Sequence, residues 1–234
     1  MKKSVKKLLT GMIICSMLSS SFNVLAANNV EIKGISVLEN DKVVATFEPT
    51  DGNIQLTPEQ MLKELPRLMK EDFPLLKNIS YEVRQVHPSM KKFLSPAFYL
   101  TPPVDTQTPN VIYINNGHLT DNLSLFTTLA HEGYPGHLYQ NVYYASLHPD
   151  PIRCVLNYGG YTEGWATYSE MMSYYFSTLT KEQATLFQRN SSVILGLYAL
   201  TDMGIHYDGW KLADAAAFFH TYGITDDATI EDIY

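Results

Sequence analysis

The seven residues HEGYPGH, from His131 to His137, constrain the local fold more than any other stretch of this chain. In the motif His-Glu-x-x-His the two histidines share one helix face, because four residues turn a helix by about 400°. Here the second histidine comes six residues after the first. Six residues turn a helix by about 600° and advance it by about 9 Å. An unbroken helix therefore cannot direct His131 and His137 to one metal ion.

The same stretch contains residues that interrupt a helix. Pro135 lacks an N–H and its ring clashes with the carbonyl of His131, one turn earlier. Gly136 tolerates backbone angles that other residues avoid. A helix through His131 could thus bulge at residues 133–136 and resume with His137 near the fourth position. The alternative is a helix that ends at a proline-glycine stop and leaves two unrelated histidines.

The first 27 residues have the layout of a secretory signal peptide. Four lysines precede the apolar run LLTGMIICSML, and small residues follow it. Cleavage is expected near Ala26 or Ala27, which predicts a protein that is secreted or held in the cell envelope. Cys15 follows Ile14 rather than a small residue, so a lipid-anchored cysteine is not expected. No other long apolar run follows downstream, so no stable membrane anchor is expected.

Charge and cysteine content narrow the classes of partner and site. Removing the four lysines of the signal peptide from 17 basic residues leaves 13, against 24 acidic ones, a net charge of about −11. This balance argues against nucleic acid as a partner. Cys154 is the only cysteine after cleavage, so a tetrathiolate zinc site is excluded. A metal ion would have to bind His, Asp or Glu.

Hydrophobic patterns predict an α+β chain that is mainly α-helical. Residues 28–56 form a β-rich lead-in, and residues 57–234 are expected to form one domain. In that domain the runs ISYEVRQV, AFYL and VIYI are predicted strands. Predicted helices start at residues 57 and 120, and others cover residues 161–176, 181–208 and 211–219.

The helix predicted over residues 161–176 has two distinct faces. Its apolar stripe consists of Tyr161, Trp165, Tyr168 and Met172. Glu163 and Glu170 share another face, nearly in register, because seven residues span about two turns.

A zinc hydrolase needs two histidines, a third ligand and a base beside the metal-bound water. Glu132, next to His131, is the natural base. Glu163 follows His137 by 26 residues, which is enough for a turn and an antiparallel return, so it is a candidate third ligand. The alternative for Glu163 is a solvated glutamate on a helix surface.

Five segments in order carry a family resemblance: AFYLTPPVD, VIYINNG, LAHEGYPGHLYQ, YTEGWATYSE and TDMGIHYDGW. Together they resemble the bacterial "domain of unknown function 885" family over about residues 57–220. That family resembles zinc metallopeptidases of the gluzincin type, which implies a gluzincin-like core. The resemblance implies that His131, His137 and Glu163 bind Zn²⁺ and that Glu132 is the general base.

The chain departs from the family pattern in two respects. Many relatives carry a further histidine where this chain has Leu138, a position that is not expected to be a ligand. Relatives also have a large helical region before this part and a segment after it. The domain is therefore expected to be incomplete at its C-terminal end, and turnover by this chain alone is expected to be weak.

Other polar residues receive secondary roles. His206, with Asp202 one turn earlier to orient it, is a candidate to stabilise an oxyanion, and Tyr207 is a weaker candidate. Asn115 and Asn116, after a predicted strand, could contact a substrate backbone. The remaining histidines are not expected to be ligands or catalytic groups: His87, His118, His148 and His220.

The sequence thus predicts a secreted zinc-dependent hydrolase, most simply a peptidase. Its expected substrate is a peptide or a small amide. Two alternatives remain: a zinc hydrolase that acts on a non-peptide amide or ester, and a secreted binding module that keeps the fold without turnover.

Overall fold

The structure is a computed structural model, and it describes residues 35–39, 42–47, 56–76, 79–117, 122–156 and 158–234. The predicted signal peptide, its cleavage site and His118 lie outside the described residues. No helix within those ranges is both long and apolar enough to cross a membrane.

The chain divides into two compact units. The described part of the first, called the central unit, runs from residue 56 to residue 184. The second, called the C-terminal unit, combines residues 185–234 with the segment that holds the two N-terminal strands. The boundary between the two units falls inside residues 57–234, which were predicted to form one domain.

The segment expected to be β-rich contains two strands. Strand β1 (Ile35–Glu39) pairs antiparallel with β2 (Lys42–Phe47), with a register irregularity after Val37.

The central unit begins with helix α1 (Pro58–Leu68), whose predicted start is confirmed. Thr57 accepts a hydrogen bond from the Gln60 N–H, and the Gln60 side chain accepts one from the Thr57 N–H. This reciprocal pair satisfies two amides that the first helical turn leaves without partners.

Three strands form the sheet of the central unit, as predicted: β3 (Tyr81–Gln85), β4 (Ala97–Leu100) and β5 (Asn110–Ile114). The order is β3-β5-β4, with β5 parallel to β3 and antiparallel to β4. Strand β4 therefore lies at one edge of the sheet, where its outer backbone groups can meet another element.

Helices make up most of the remaining described chain. The central unit contains α2 (Asn122–Glu132), α3 (His137–Ser146), α4 (Ile152–Val155) and α5 (Gly159–Ser173). Helix α6 (Lys181–His206) runs across the unit boundary, and α7 (Leu212–His220) and α8 (Asp227–Ile233) follow. The described fold is thus α+β and mainly helical, as predicted, although α8 was not predicted.

The core of the central unit forms where α1, the sheet, α2 and α3 meet. Its fully buried side chains include Met61, Leu62, Ile112, Phe126 and Leu138. A separate cluster in the C-terminal unit contains Ile194, Leu197, Phe219 and Ile230.

The buried residues of α5 do not follow its apolar stripe. Tyr161 is 83% exposed and Tyr168 is also exposed, whereas Ala166, Ser169 and Ser173 are buried. Helix α5 packs along α2, and close helix packing favours small residues at the contact. Apolar character alone did not identify the inward face.

Candidate metal centre

A break between α2 and α3 explains how two histidines six residues apart can lie side by side. Helix α2 ends at Glu132 and α3 begins at His137, so the predicted interruption at residues 133–136 is confirmed. Two backbone bonds close the break: the Gly136 N–H donates to the Ala130 carbonyl at 2.9 Å, and the Tyr139 N–H donates to the Gly133 carbonyl at 3.1 Å. These bonds loop out the extra residues without separating the two helices.

As a result, the two imidazoles face each other. The ring centroids of His131 and His137 are 4.8 Å apart, with an angle of 83° between the ring planes. The alternative of two unrelated histidines is wrong for this structure.

The break needs glycine at residue 136. A Cβ built on Gly136 would overlap the carbonyl oxygens of His131 and Ala130, which are backbone atoms and cannot turn aside. We expect Gly136→Ala to lower the free energy of unfolding by about 3 kcal/mol or more. Chemical denaturation with zinc removed would measure this change.

Gly164→Ala is the matched control, because a Cβ on Gly164 meets nothing within 4 Å. Alanine in the interior of helix α5 should leave stability unchanged or raise it by up to about 1 kcal/mol. Equal stability of Gly136→Ala and the wild type would show that the break does not depend on this close approach.

Helix α5 brings Glu163 to the two histidines, as predicted. Its Oε2 lies 3.4 Å from His137 Nε2 and 3.7 Å from His131 Nε2. One ligand atom from each of the three residues lies within 4.8 Å of the others. Tetrahedral zinc with ligands at about 2.0–2.1 Å separates ligand atoms by roughly 3.4 Å. The donor types and spacing therefore fit a zinc ion with small adjustments.

Two side chains that were not predicted as part of the site fix α5 against the break. The indole N–H of Trp165 donates to the Pro135 carbonyl at 2.7 Å, and the Ser169 hydroxyl lies 3.3 Å from the same oxygen. Trp165 and Ser169 thus satisfy a carbonyl that the interrupted helix leaves without a helical partner. They also set the position of Glu163 on the preceding turn.

Glu170 is a further residue for which the sequence predicted no role at the site. Its Oε2 lies 3.0 Å from Nδ1 of His131, so the Nδ1–H donates to the carboxylate and Nε2 is left to face Glu163. Such a carboxylate fixes the orientation of a ligand histidine and strengthens it as a ligand. The seven-residue register with Glu163 was the sequence signal that could have indicated it.

We expect Glu170→Ala to weaken zinc binding by about 10–100-fold, because His131 loses its orienting partner. Competition with a chromogenic chelator would measure the affinity. Glu71→Ala is the control, since Glu71 is exposed and forms an ion pair with Lys70. An unchanged zinc affinity in Glu170→Ala would contradict this role.

The two histidines have different acidities. Burial lowers the pKa of His131, but the hydrogen bond and charge of Glu170 outweigh burial and raise it above its ordinary value. Burial, and then the neighbouring His131, lower the pKa of His137. The neighbouring carboxylates thus act on the two rings to different extents, and a group of carboxylates is an environment that also suits a cation.

Glu132 is held beside the ligands at the end of α2. Its side chain is buried, and its Oε2 accepts the Tyr99 N–H of strand β4 at 2.8 Å. Its second carboxylate oxygen, Oε1, lies 4.0 Å from Nε2 of His131. Burial raises the pKa of Glu132 to about 7, the range in which a carboxyl group can exchange protons near neutral pH.

His206 ends α6 and belongs to the C-terminal unit. The predicted partner is present: Nδ1 of His206 lies 3.2 Å from Asp202 Oδ1 and 3.0 Å from the Asp202 carbonyl oxygen. Tyr207 is 88% exposed. The role of His206 as an oxyanion-stabilising group stays a prediction.

The asparagines after β5 differ from expectation. Asn115 is fully buried, and its amide donates to the carbonyls of Lys91 and Leu94 while its oxygen accepts the Gly117 N–H. These bonds use the side chain to hold the neighbouring turn, so the suggested substrate contact of Asn115 is wrong. Asn116 is exposed and donates to Gln85.

The remaining described histidines do not join the centre. His87 contacts Ser89 in a turn, and His220 pairs with Asp227 between α7 and α8. Within the described ranges, the group suited to hold a metal ion consists of His131, His137 and Glu163.

Comparison with known proteins places these residues in a family. The profile of the family "Bacterial protein of unknown function (DUF885)" matches residues 34–233. The chain belongs to the DUF885 family. This match covers both units, and it confirms the family part of the resemblance seen in the sequence.

A solved structure shares the fold of this DUF885 chain. A protein from Colwellia psychrerythraea, described as a "putative lipoprotein", aligns with a TM-score of 0.61 and 22% sequence identity. The alignment covers 75% of this chain and 31% of the other, so this chain spans about a third of that protein's length. Among curated proteins, none matches the chain.

Proposed function

We propose that this DUF885 chain is a zinc-dependent hydrolase with a gluzincin-like centre, and that it cleaves peptide bonds. The observation that carries the proposal is the convergence of His131, His137 and Glu163 across a broken helix, with a buried glutamate beside them. Two histidines and a glutamate leave one position of a tetrahedral zinc site for water or substrate, which is the arrangement of catalytic zinc sites.

The three ligand residues would hold Zn²⁺, and Glu170 would keep His131 in the orientation that offers Nε2. When bound, the metal would lower the pKa of a water molecule and polarise a substrate carbonyl. Glu132 would accept a proton from the attacking water and donate it to the leaving amine. Its Oε1 is available for this proton, because the Tyr99 amide occupies Oε2.

Access to the centre is consistent with an extended substrate. The Glu163 side chain is 64% exposed, whereas His131 and Glu132 are buried. One side of the ligand set therefore opens to solvent, and the other is closed by packed protein. We also propose that the protein is exported, which rests on the signal-like first 27 residues and on the description of the Colwellia protein as a lipoprotein.

A substrate panel with metal control tests this proposal. Protein freed of metal by a chelator would be assayed against a mixed peptide library, amides and simple esters, before and after addition of one equivalent of zinc. We expect peptide cleavage, even if slow, that appears only with zinc. Cleavage of esters or small amides alone would favour the non-peptide alternative, and zinc binding without any hydrolysis would favour a binding module.

A further inference from the structure

Strand β4 meets the candidate centre through one residue, Tyr99. Its backbone N–H donates to Glu132 Oε2 at 2.8 Å. Its side-chain hydroxyl donates to Asn110 Oδ1 on β5 at 2.7 Å and accepts from Asn141 Nδ2 on α3 at 3.0 Å. A single residue therefore contacts the candidate base with its backbone and two other elements with its side chain.

The partners of the hydroxyl are themselves fixed. Asn110 is buried, and its amide donates to the Ser80 carbonyl at 3.2 Å. Asn141 lies four residues after His137 on α3, so the two share one face of that helix. The Tyr99 hydroxyl thus connects the edge strand that anchors Glu132 with the helix that carries a candidate ligand.

We propose that Tyr99 is a positioning residue for the reaction of this centre, an inference that rests on the proposed hydrolase function. The bonds to Asn110 and Asn141 hold β4 at a set distance from α3. The Tyr99 amide then fixes the carboxylate of Glu132 with Oε1 directed toward the ligand atoms.

The physical basis is the sensitivity of proton transfer to geometry. A carboxylate acts as a base only within hydrogen-bond reach of the proton it takes, and a misplacement of about 1 Å can lower the rate by about 100-fold. Burial raises the pKa of Tyr99 to about 12. The hydroxyl therefore keeps its proton near neutral pH and can donate to Asn110 and accept from Asn141 at once.

Tyr99→Phe tests the inference, because it removes both hydroxyl bonds and leaves the backbone and ring. We expect kcat of the zinc-loaded protein to fall by about tenfold or more, while KM and zinc content stay at the wild-type values. The second readout is amide exchange at residue 99 by NMR, which should become about fivefold faster as the anchored strand loosens.

Tyr139→Phe is the matched control, because it also removes one buried tyrosine hydroxyl bond of the central unit, the 2.6 Å bond to the Pro74 carbonyl. Its kcat, and its exchange at residue 99, should equal those of the wild type. Asn141→Ala provides an independent variant if Tyr99→Phe does not fold, since it removes one of the same bonds from the α3 side. The double variant should be no slower than Tyr99→Phe alone, because both changes break one network.

The outcomes separate this inference from the proposed function. Faster exchange at residue 99 in Tyr99→Phe, together with a wild type that hydrolyses nothing, would support the strand anchor and contradict the hydrolase. Normal hydrolysis with unchanged kcat and unchanged exchange in Tyr99→Phe and Asn141→Ala would overturn the inference. A parallel loss of zinc or a rise in KM would also overturn it, because it would indicate general structural damage.

Discussion

Glu132→Gln should keep zinc and lose hydrolysis. The amide has nearly the same shape as the carboxylate, and its oxygen can still accept the Tyr99 N–H that now meets Oε2. It cannot take a proton from water, and removal of a general base lowers rates by about 10²–10⁴-fold. The measurements are metal content after gel filtration and initial rates on whichever peptide the panel identifies.

Glu71→Gln is the control for this change, since it alters an exposed glutamate of the central unit. It should hydrolyse the peptide as fast as the wild type. If Glu132→Gln also retained most of its activity, Glu132 would not be the base. If it lost zinc as well as activity, the carboxylate would belong to the metal site rather than beside it.

Replacement of any candidate ligand by alanine should remove the metal. With three protein ligands and a water molecule, the wild type should hold about one zinc per chain. His131→Ala, His137→Ala and Glu163→Ala each leave two protein ligands, and zinc content after dialysis should fall to near zero. Elemental analysis of the purified variants measures it.

His87→Ala is the matched control, because His87 lies in an exposed turn beside Ser89. It should retain about one zinc per chain. His137→Ala is the informative variant of the three. If it bound zinc as tightly as the wild type, the two histidines would not share a metal, and the break between α2 and α3 would have another purpose.

Much of the local structure could be predicted, because it depends on neighbours in the chain. The Pro135-Gly136 pair predicted where α2 stops and α3 starts, and Thr57 predicted the start of α1. In each case a residue with special backbone chemistry acts within one helical turn. Such effects are the same whatever the rest of the fold does.

Faces and partners were harder to predict. The apolar stripe of α5 includes Tyr161, yet Tyr161 is exposed, whereas the polar Ser169 is buried. Asn115 was expected at a substrate because it is polar and follows a strand, yet it holds a turn. In both cases the polarity of the side chain did not indicate whether it is buried, because burial depends on how closely a second element approaches.

The bonds that assemble the centre connect distant parts of the chain. Trp165 reaches Pro135 across 30 residues, Tyr99 reaches Glu132 across 33, and Glu170 reaches His131 across 39. Two of these bonds use a backbone group, the Tyr99 N–H and the Pro135 carbonyl. Every residue type has a backbone carbonyl, and every type except proline has a backbone N–H. The identity of the residue therefore could not indicate these two bonds.

Residues close together in the chain were enough to predict the local features of the candidate site: a helix broken between two histidines, a glutamate beside the first of them, and two glutamates in register on a later helix. Those features follow from helix periodicity and from proline and glycine, which act over a few residues. The three-dimensional fold was needed to learn that α5 lies against the break, that Glu170 orients His131, and that Tyr99 fixes Glu132. These are distances between separate elements, and packing of the whole central unit sets them.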